Sequence, residues 1–148
     1  ISTSNMVLFE DDNKLRKFKN IDEILSSFIL KRYDLYKIRK RSIITNLEKE
    51  LNDLTIECRF IRLVVDDKIV LFKRSDEDII NDLKANKFSK RDESYDYLLG
   101  IKVCKFTQSN IDKLENKIKG LEEELETVKN TSEKKMWIRE LNELNDKL

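Results

Sequence analysis

Apolar positions along the C-terminal part of the chain fall into a strict rhythm. Ile111, Leu114, Ile118, Leu121, Leu125 and Val128 are spaced 3, 4, 3, 4, 3, which keeps one apolar seam along a helix pairing with another helix. Thr107 or Ser109 can cap it. Gly120 sits inside this helix and costs it about 1 kcal/mol relative to Ala. After the polar break Lys129-Asn130-Thr131, Ser132 can restart a helix carrying Trp137, Leu141, Leu144 and Leu148 on one face. A second periodic stretch lies upstream. Asn20 or Asp22 can cap a helix whose apolar residues Ile21, Ile24, Leu25, Phe28, Leu35, Ile38, Ile44, Leu47, Leu51 and Leu54 recur at mixed threes and fours. At ~1.5 Å per residue, a helix of about thirty residues would extend roughly 45–50 Å.

The remaining patterns are shorter. Met6–Phe9 and Leu15–Phe18 flank the polar turn Asp11-Asp12-Asn13-Lys14 and read as a β-hairpin. From Phe60 to Phe72 the chain becomes strongly apolar around Asp66-Asp67-Lys68, as either a hairpin or a helix end followed by a strand. Ser75-Asp76-Glu77-Asp78 is a capping-box pattern opening a short helix with Ile79, Ile80 and Leu83. Phe88 to Gly100 reads as irregular and ends in Tyr95, Tyr97, Leu98 and Leu99. Isolated helices of this kind are marginal in water, so the two long ones are expected to bury their seams against each other. The predicted architecture is mainly α: a β-hairpin over 1–19, an outgoing helix over 20–56, a small globular tip over 57–106, and returning helices over 107–148. A long antiparallel coiled-coil arm then carries an apolar tip suited to a partner.

Composition supports this. Charged residues make up 40% and hydrophobic ones 39%, against about 25% and 45–50% in ordinary domains. Narrow seams suit such a chain better than one compact core. Two glycines and no proline leave few helix breakers. Cys58 and Cys104 stand far apart with no histidine anywhere, so zinc-ligand spacing is absent. Both cysteines are expected to be reduced and buried. Without a signal peptide or long apolar run, the chain reads as intracellular with no membrane contact. Its first residue, Ile1 rather than Met, suggests a piece of something longer. Net charge is only +1, yet Lys14 to Arg41 holds ten basic residues against three acidic ones. That stretch is either a solvated helix face or a surface for an anion.

Several runs resemble one family. Asn5-Met6-Val7-Leu8-Phe9, Leu15-Arg16-Lys17-Phe18 and Ile21-Asp22-Glu23-Ile24-Leu25 are similar to the start of the coiled-coil arm in eukaryotic-type topoisomerase II. Phe28, Arg32, Tyr36, Arg39 and Lys40 resemble that family's outgoing helix, and Arg59-Phe60-Ile61 its end. Tyr95-Asp96-Tyr97-Leu98-Leu99 resembles the aromatic-x-Tyr-Leu-Leu motif. Thr107, Thr131-Ser132, Trp137 and Leu141 resemble the returning helix and its restart. The matches follow in order over essentially the whole chain. Ile101 departs from the methionine common in relatives, and the link between Asn86 and Ser94 is shorter than in many, pointing to a compact member, viral or protozoan.

The resemblance implies the exit gate of the DNA breakage-reunion core of a type IIA topoisomerase. The parent would cut one duplex, pass another through it with ATP and magnesium, and release it where two copies of this segment meet. No catalytic, metal or cofactor residue is expected here. Phe60, Tyr97, Leu98 and Leu99 are the candidates for the dimer contact. Lys31, Arg32, Lys37, Arg39, Lys40 and Arg41 are those facing duplex DNA, through transient, sequence-independent phosphate contacts. A cellular parent would be nuclear, and a viral one could be cytoplasmic.

Three features mimic chemistry. Arg32-Tyr33 resembles the pair that carries the cleaving tyrosine, but it lies within an amphipathic helix without an acidic metal cluster. Asp76-Glu77-Asp78 has magnesium-like spacing, yet negative charge at a helix start favours the dipole. Asp66-Asp67 reads as a turn. No Gly-rich phosphate loop is present. The alternative to a gate is an unrelated helical interaction module, such as a chaperone or tether. A self-contained enzyme lacks histidine and a nucleophile–base pair.

Overall fold

The computed structural model describes residues 6–10 and 13–148. Asn5 of the quoted arm motif and Asp11 and Asp12 of the hairpin turn lie outside the described residues, as do the first five positions of the 1–19 stretch. The elements are β1 (Val7–Phe9), β2 (Leu15–Lys17), α1 (Ile21–Val65), α2 (Asp76–Ala85), α3 (Asp96–Leu99), a 3-10 turn (Val103–Lys105), α4 (Gln108–Asn130) and α5 (Glu133–Asn145). The fold is mainly α with a small antiparallel N-terminal sheet. The chain divides into two compact units, one formed by Ile1–Ile43 and Asn130–Leu148, the other by Ile44–Lys129.

In unit one, β1 and β2 pair antiparallel in the register Val7↔Lys17, Leu8↔Arg16, Phe9↔Leu15. All six strand residues are exposed, so the ribbon is held from its end. Phe18 is buried and its N–H donates to the Met6 carbonyl at 2.8 Å. Arg16 ties the ribbon to the next helix through Glu10 at 2.6 Å and Glu23 at 2.8 Å. Asn20, rather than Asp22, caps α1: its Oδ1 accepts from the Glu23 N–H at 2.9 Å, while Glu23 reaches back to the Lys19 N–H at 2.7 Å. This is a displaced capping box, satisfying two backbone donors.

Helix α1 runs for 45 residues, further than the expected stretch 20–56. The predicted hairpin or strand after Phe60 is helix up to Val65 instead. Its last turns have apolar partners on two sides: Ile56, Phe60, Leu63 and Val64 enter one cluster, Cys58 and Ile61 another. Packing on both faces overrides the strand preference of Ile61, Val64 and Val65. The helix then stops where Asp67 adopts φ 54°, with Asp67 N–H donating to the Val64 carbonyl and Lys68 N–H to the Leu63 carbonyl, a left-handed cap.

Unit two has a closed core. Phe60 lies edge-on to Phe88 and Phe106, both at 6.0 Å. Ile69, Ile79, Leu83, Tyr95 and Leu98 complete the cluster. Ser75 caps α2, accepting from the Asp78 N–H. At its other end Lys87 takes φ 57° and Phe88 N–H donates to the Leu83 carbonyl, joining two core residues across the cap. The stretch expected to be irregular contains α3 and a bridge between Arg91 and Ser94. Tyr95 and Tyr97 hydroxyls donate to the carbonyls of Phe88 and Ser89, at 3.2 and 2.7 Å.

Thr107 caps α4, accepting from the Asn110 N–H at 3.3 Å. Within unit two, α4 meets α1 through Ile111 against Cys58 and Ile61. Ion pairs Arg62–Glu115, Glu50–Lys117 and Glu48–Lys129 order the residues of the two helices in opposite senses, so these segments run antiparallel. Ser132 caps α5 as expected, accepting from the Lys135 N–H at 3.3 Å. Cys58 is buried, but Cys104 is exposed. The expectation that both are buried is corrected, because Cys104 lies in the 3-10 turn, which contributes no buried residue.

Candidate functional site

The residues read from the sequence as a partner contact separate into two groups. Phe60 and Leu98 are 0% and 1% exposed, inside the core of unit two. They offer no side-chain surface to a partner and act as packing, which corrects their candidacy. Tyr97 is half-buried with its hydroxyl occupied by Ser89. Leu99 is 42% exposed, and the sequence reading missed its exposed company in unit two: Val103 at 68%, Phe72 at 66% and Val70 at 42%. Val70 and Phe72 belong to the apolar run after α1, read from the sequence as possible strand. Beside α3 lies a depression of about 580 Å³ lined by Glu57, Asp96, Tyr97, Gly100, Ile101, Lys102 and Lys105. Gly100 is needed there, since a Cβ would stand 2.9 Å from the Asp96 carbonyl oxygen.

The six basic candidates all lie on α1 in unit one. They do not form one stripe: Arg39, Lys40 and Arg41 follow one another at steps of about 100° around the helix. Three of the six are neutralised. Lys37 pairs with Asp34 at 2.8 Å, Arg39 with Glu140 at 2.8 Å and Lys40 with Glu133 at 3.6 Å. Lys31 and Arg41 are exposed, and the exposed Arg32 lies over the Tyr36 ring at 5.3 Å.

These pairs belong to a clamp that no local pattern in the chain announces. Tyr36, 3% exposed, donates its hydroxyl to Glu140 Oε2 at 2.5 Å. Trp137 stacks on Tyr36 at 5.8 Å and 23°, and Met136 is buried beside it in sequence. Glu140 therefore sits below the ordinary carboxylate range, first through the Tyr36 hydrogen bond and then through Arg39. Burial, followed by the Glu140 carboxylate, pushes the Tyr36 hydroxyl up. The clamp fixes α5 on the first part of α1.

Chemistry-like motifs resolve as local structure. Ser75 Oγ donates to Asp78 Oδ2 at 2.8 Å, so the acidic triplet serves the start of α2. Asp66-Asp67 forms the turn after α1. Tyr33 lies within α1 with Lys37 Nζ 4.8 Å from its ring centre. Among the described residues, no group of three or more acidic or cysteine side chains could hold a metal ion. No described helix is long and apolar enough to cross a membrane.

A protein-family model for DNA gyrase/topoisomerase IV matches residues 1–142. The chain belongs to this family. Among its relatives, the DNA topoisomerase 2 of Invertebrate iridescent virus 6 is 32% identical over 145 residues, covering 97% of this chain and 13% of that protein. The DNA topoisomerase 2 of Acanthamoeba polyphaga mimivirus is 30% identical over 153 residues, covering 97% of the chain and 12% of that protein. This member of the gyrase/topoisomerase IV family thus spans about an eighth of the length of these relatives. Its fold matches a crystal structure of the Plasmodium falciparum topoisomerase II DNA-binding, cleavage and re-ligation domain, with a TM-score of 0.87 over 99% of this chain and 23% of that one, at 24% identity.

Proposed function

We propose that the chain is the exit-gate segment of an ATP-dependent type II DNA topoisomerase, where two copies meet through unit two and part to release the transported duplex. The observation that carries this reading is family membership along nearly the whole chain, joined to the surface of unit two. There, a closed core backs an exposed apolar set that includes Leu99 and Val103. A contact that must open repeatedly needs such an arrangement: the surface can separate while Phe60, Ile69, Leu83 and Leu98 stay packed. Small interfaces at the low end of the usual size range suit that reversibility. The alternative of an unrelated helical interaction module is not favoured by the family match.

Duplex DNA is the second partner in this reading. Unit one carries fourteen Lys and Arg against ten Asp and Glu, a net of +4, while unit two carries sixteen against nineteen, a net of −3. Arg32 and Arg41 are its exposed contributors on α1, with Lys31 beside them. Their contacts go to phosphate and weaken steeply with salt. ATP and magnesium act in other parts of the parent enzyme, which works in the nucleus of a cell or, if viral, in the cytoplasm.

Sedimentation equilibrium of the chain at micromolar concentration tests the reading. A dimer is expected, and Leu99→Glu with Val103→Glu is expected to return it to monomer with its helix content intact. A wild-type monomer, or a dimer indifferent to both substitutions, would overturn it.

A further inference from the structure

The two units differ in how completely they bury themselves. All six fully buried large side chains, Phe60, Ile61, Ile69, Leu83, Leu98 and Ile111, belong to unit two. Fifteen of the twenty exposed large hydrophobics among the described residues belong to unit one. An apolar surface of that density marks an interaction site.

Its best-formed part is a groove of about 500 Å³ within unit one. Ile29, Leu30 and Tyr33 of α1 face Trp137, Ile138 and Leu141 of α5 across it. Ile29, Ile138 and Leu141 are 47%, 46% and 48% exposed, half-sunk walls rather than isolated surface residues. Lys134 stands among them, exposed and in no ion pair with a described residue, whereas its neighbour Glu133 is held by Lys40.

We propose that this groove is the seat of another segment of the same longer polypeptide, one presenting apolar side chains together with a carboxylate for Lys134. Three observations select that occupant. The matched relatives are far longer than this chain, which spans 13% and 12% of them, so most of such a polypeptide lies outside these residues. The groove is apolar with one uncompensated cation, which matches an acidic amphipathic surface. A second copy is a poorer fit, because it would bring a unit of net charge +4 against its like. The proposal depends on family membership and not on the gate reading; oligomeric state tests the gate, whereas local protection of α5 tests the groove.

The experiment compares hydrogen exchange of Glu133–Asn145 in the full-length topoisomerase carrying this sequence and in the 148-residue chain. Exchange at least about tenfold slower is expected in the full-length protein. There, Lys134→Glu and Leu141→Glu are each expected to return exchange toward that of the isolated chain, while Lys134→Arg keeps the protection. Equal exchange in the two proteins overturns the proposal. So does protection of the isolated chain that rises with its concentration, which would assign the groove to a second copy. Should the isolated chain not fold, the comparison rests on the full-length variants, and wild-type exchange in both Glu variants overturns it.

Discussion

Replacing Tyr36 by Phe removes one hydroxyl from the clamp that holds α5, and its effect can be worked from the geometry. The hydroxyl is buried and donates to an ionised carboxylate at 2.5 Å. Hydrogen bonds to charged groups contribute about 1.5–3 kcal/mol. The Glu140 side chain is 31% exposed and keeps Arg39 at 2.8 Å, so water and the guanidinium recover part of the loss. A net destabilisation of about 1–2 kcal/mol follows. Trp137 is the only tryptophan and stacks on the mutated ring, so its fluorescence in a urea titration reads unit one directly.

The pH dependence carries the same signature. Glu140 is depressed in the folded state, so its contribution is complete above the ordinary value of 4.5 and is lost as pH falls through the depressed one. Tyr36 is raised, so the folded state holds its proton longer; that contribution is complete below 10.0 and is lost as pH rises through the raised value. Tyr36→Phe should shrink the acid limb of the stability curve and remove the share of the alkaline limb that Tyr36 supplies. A variant within about 0.5 kcal/mol of wild type, with both limbs intact, would refute the clamp.

The two glycines should respond oppositely to alanine. A Cβ at Gly120 meets nothing within 4 Å, so Gly120→Ala should stabilise α4 by about 0.8–1 kcal/mol in thermal melts; Gly100→Ala, facing the Asp96 carbonyl, should destabilise unit two. Leu98→Ala should cost unit two about 2–5 kcal/mol by circular dichroism in urea, whereas Leu99→Ala, at 42% exposure, should leave monomer stability within about 1 kcal/mol. Lys87→Gly relieves a left-handed residue and should add roughly 0.5–1 kcal/mol. A thiol reagent should label Cys104 at once and Cys58 only on unfolding, since burial both shields Cys58 and pushes its thiol up.

What the sequence made legible was local. Ser75 and Ser132 announce caps because the residue that accepts and the N–H that donates lie three positions apart, and the 3-4 rhythm of Ile111 to Val128 needs no distant partner to be read. The rest depends on separations no local pattern contains. The basic stretch of α1 looks available until Glu133 and Glu140, which neutralise Lys40 and Arg39, are brought back from about a hundred residues away. Phe60 and Leu98 are as apolar as Leu99 and Val103, so hydrophobicity could not tell a side chain that packs inward from one that faces a partner. The last turns of α1 were hidden for a related reason: Ile61, Val64 and Val65 favour strand by themselves, and only the apolar clusters on both sides make helix the better solution.

This ambiguity bears on how a separable contact can be built from a chain so rich in charge. If Phe60 or Leu98 carried the contact, opening it would expose the centre of unit two, and parting the copies would be coupled to unfolding. Here the Phe60, Phe88 and Phe106 rings close on one another first, and the carbonyls of Phe88 and Ser89 take the two tyrosine hydroxyls. Leu99 and Val103 are then left on a surface whose support does not depend on a partner. Opening costs only the apolar area those outer residues bury, at about 25 cal/mol per Å². That cost can be tuned by one or two side chains without disturbing the core. Unit one has the opposite character, since its exposed Ile29, Leu30, Ile138 and Leu141 have no comparable core behind them. The same contrast that suits unit two to a contact that opens suits unit one to one that stays closed.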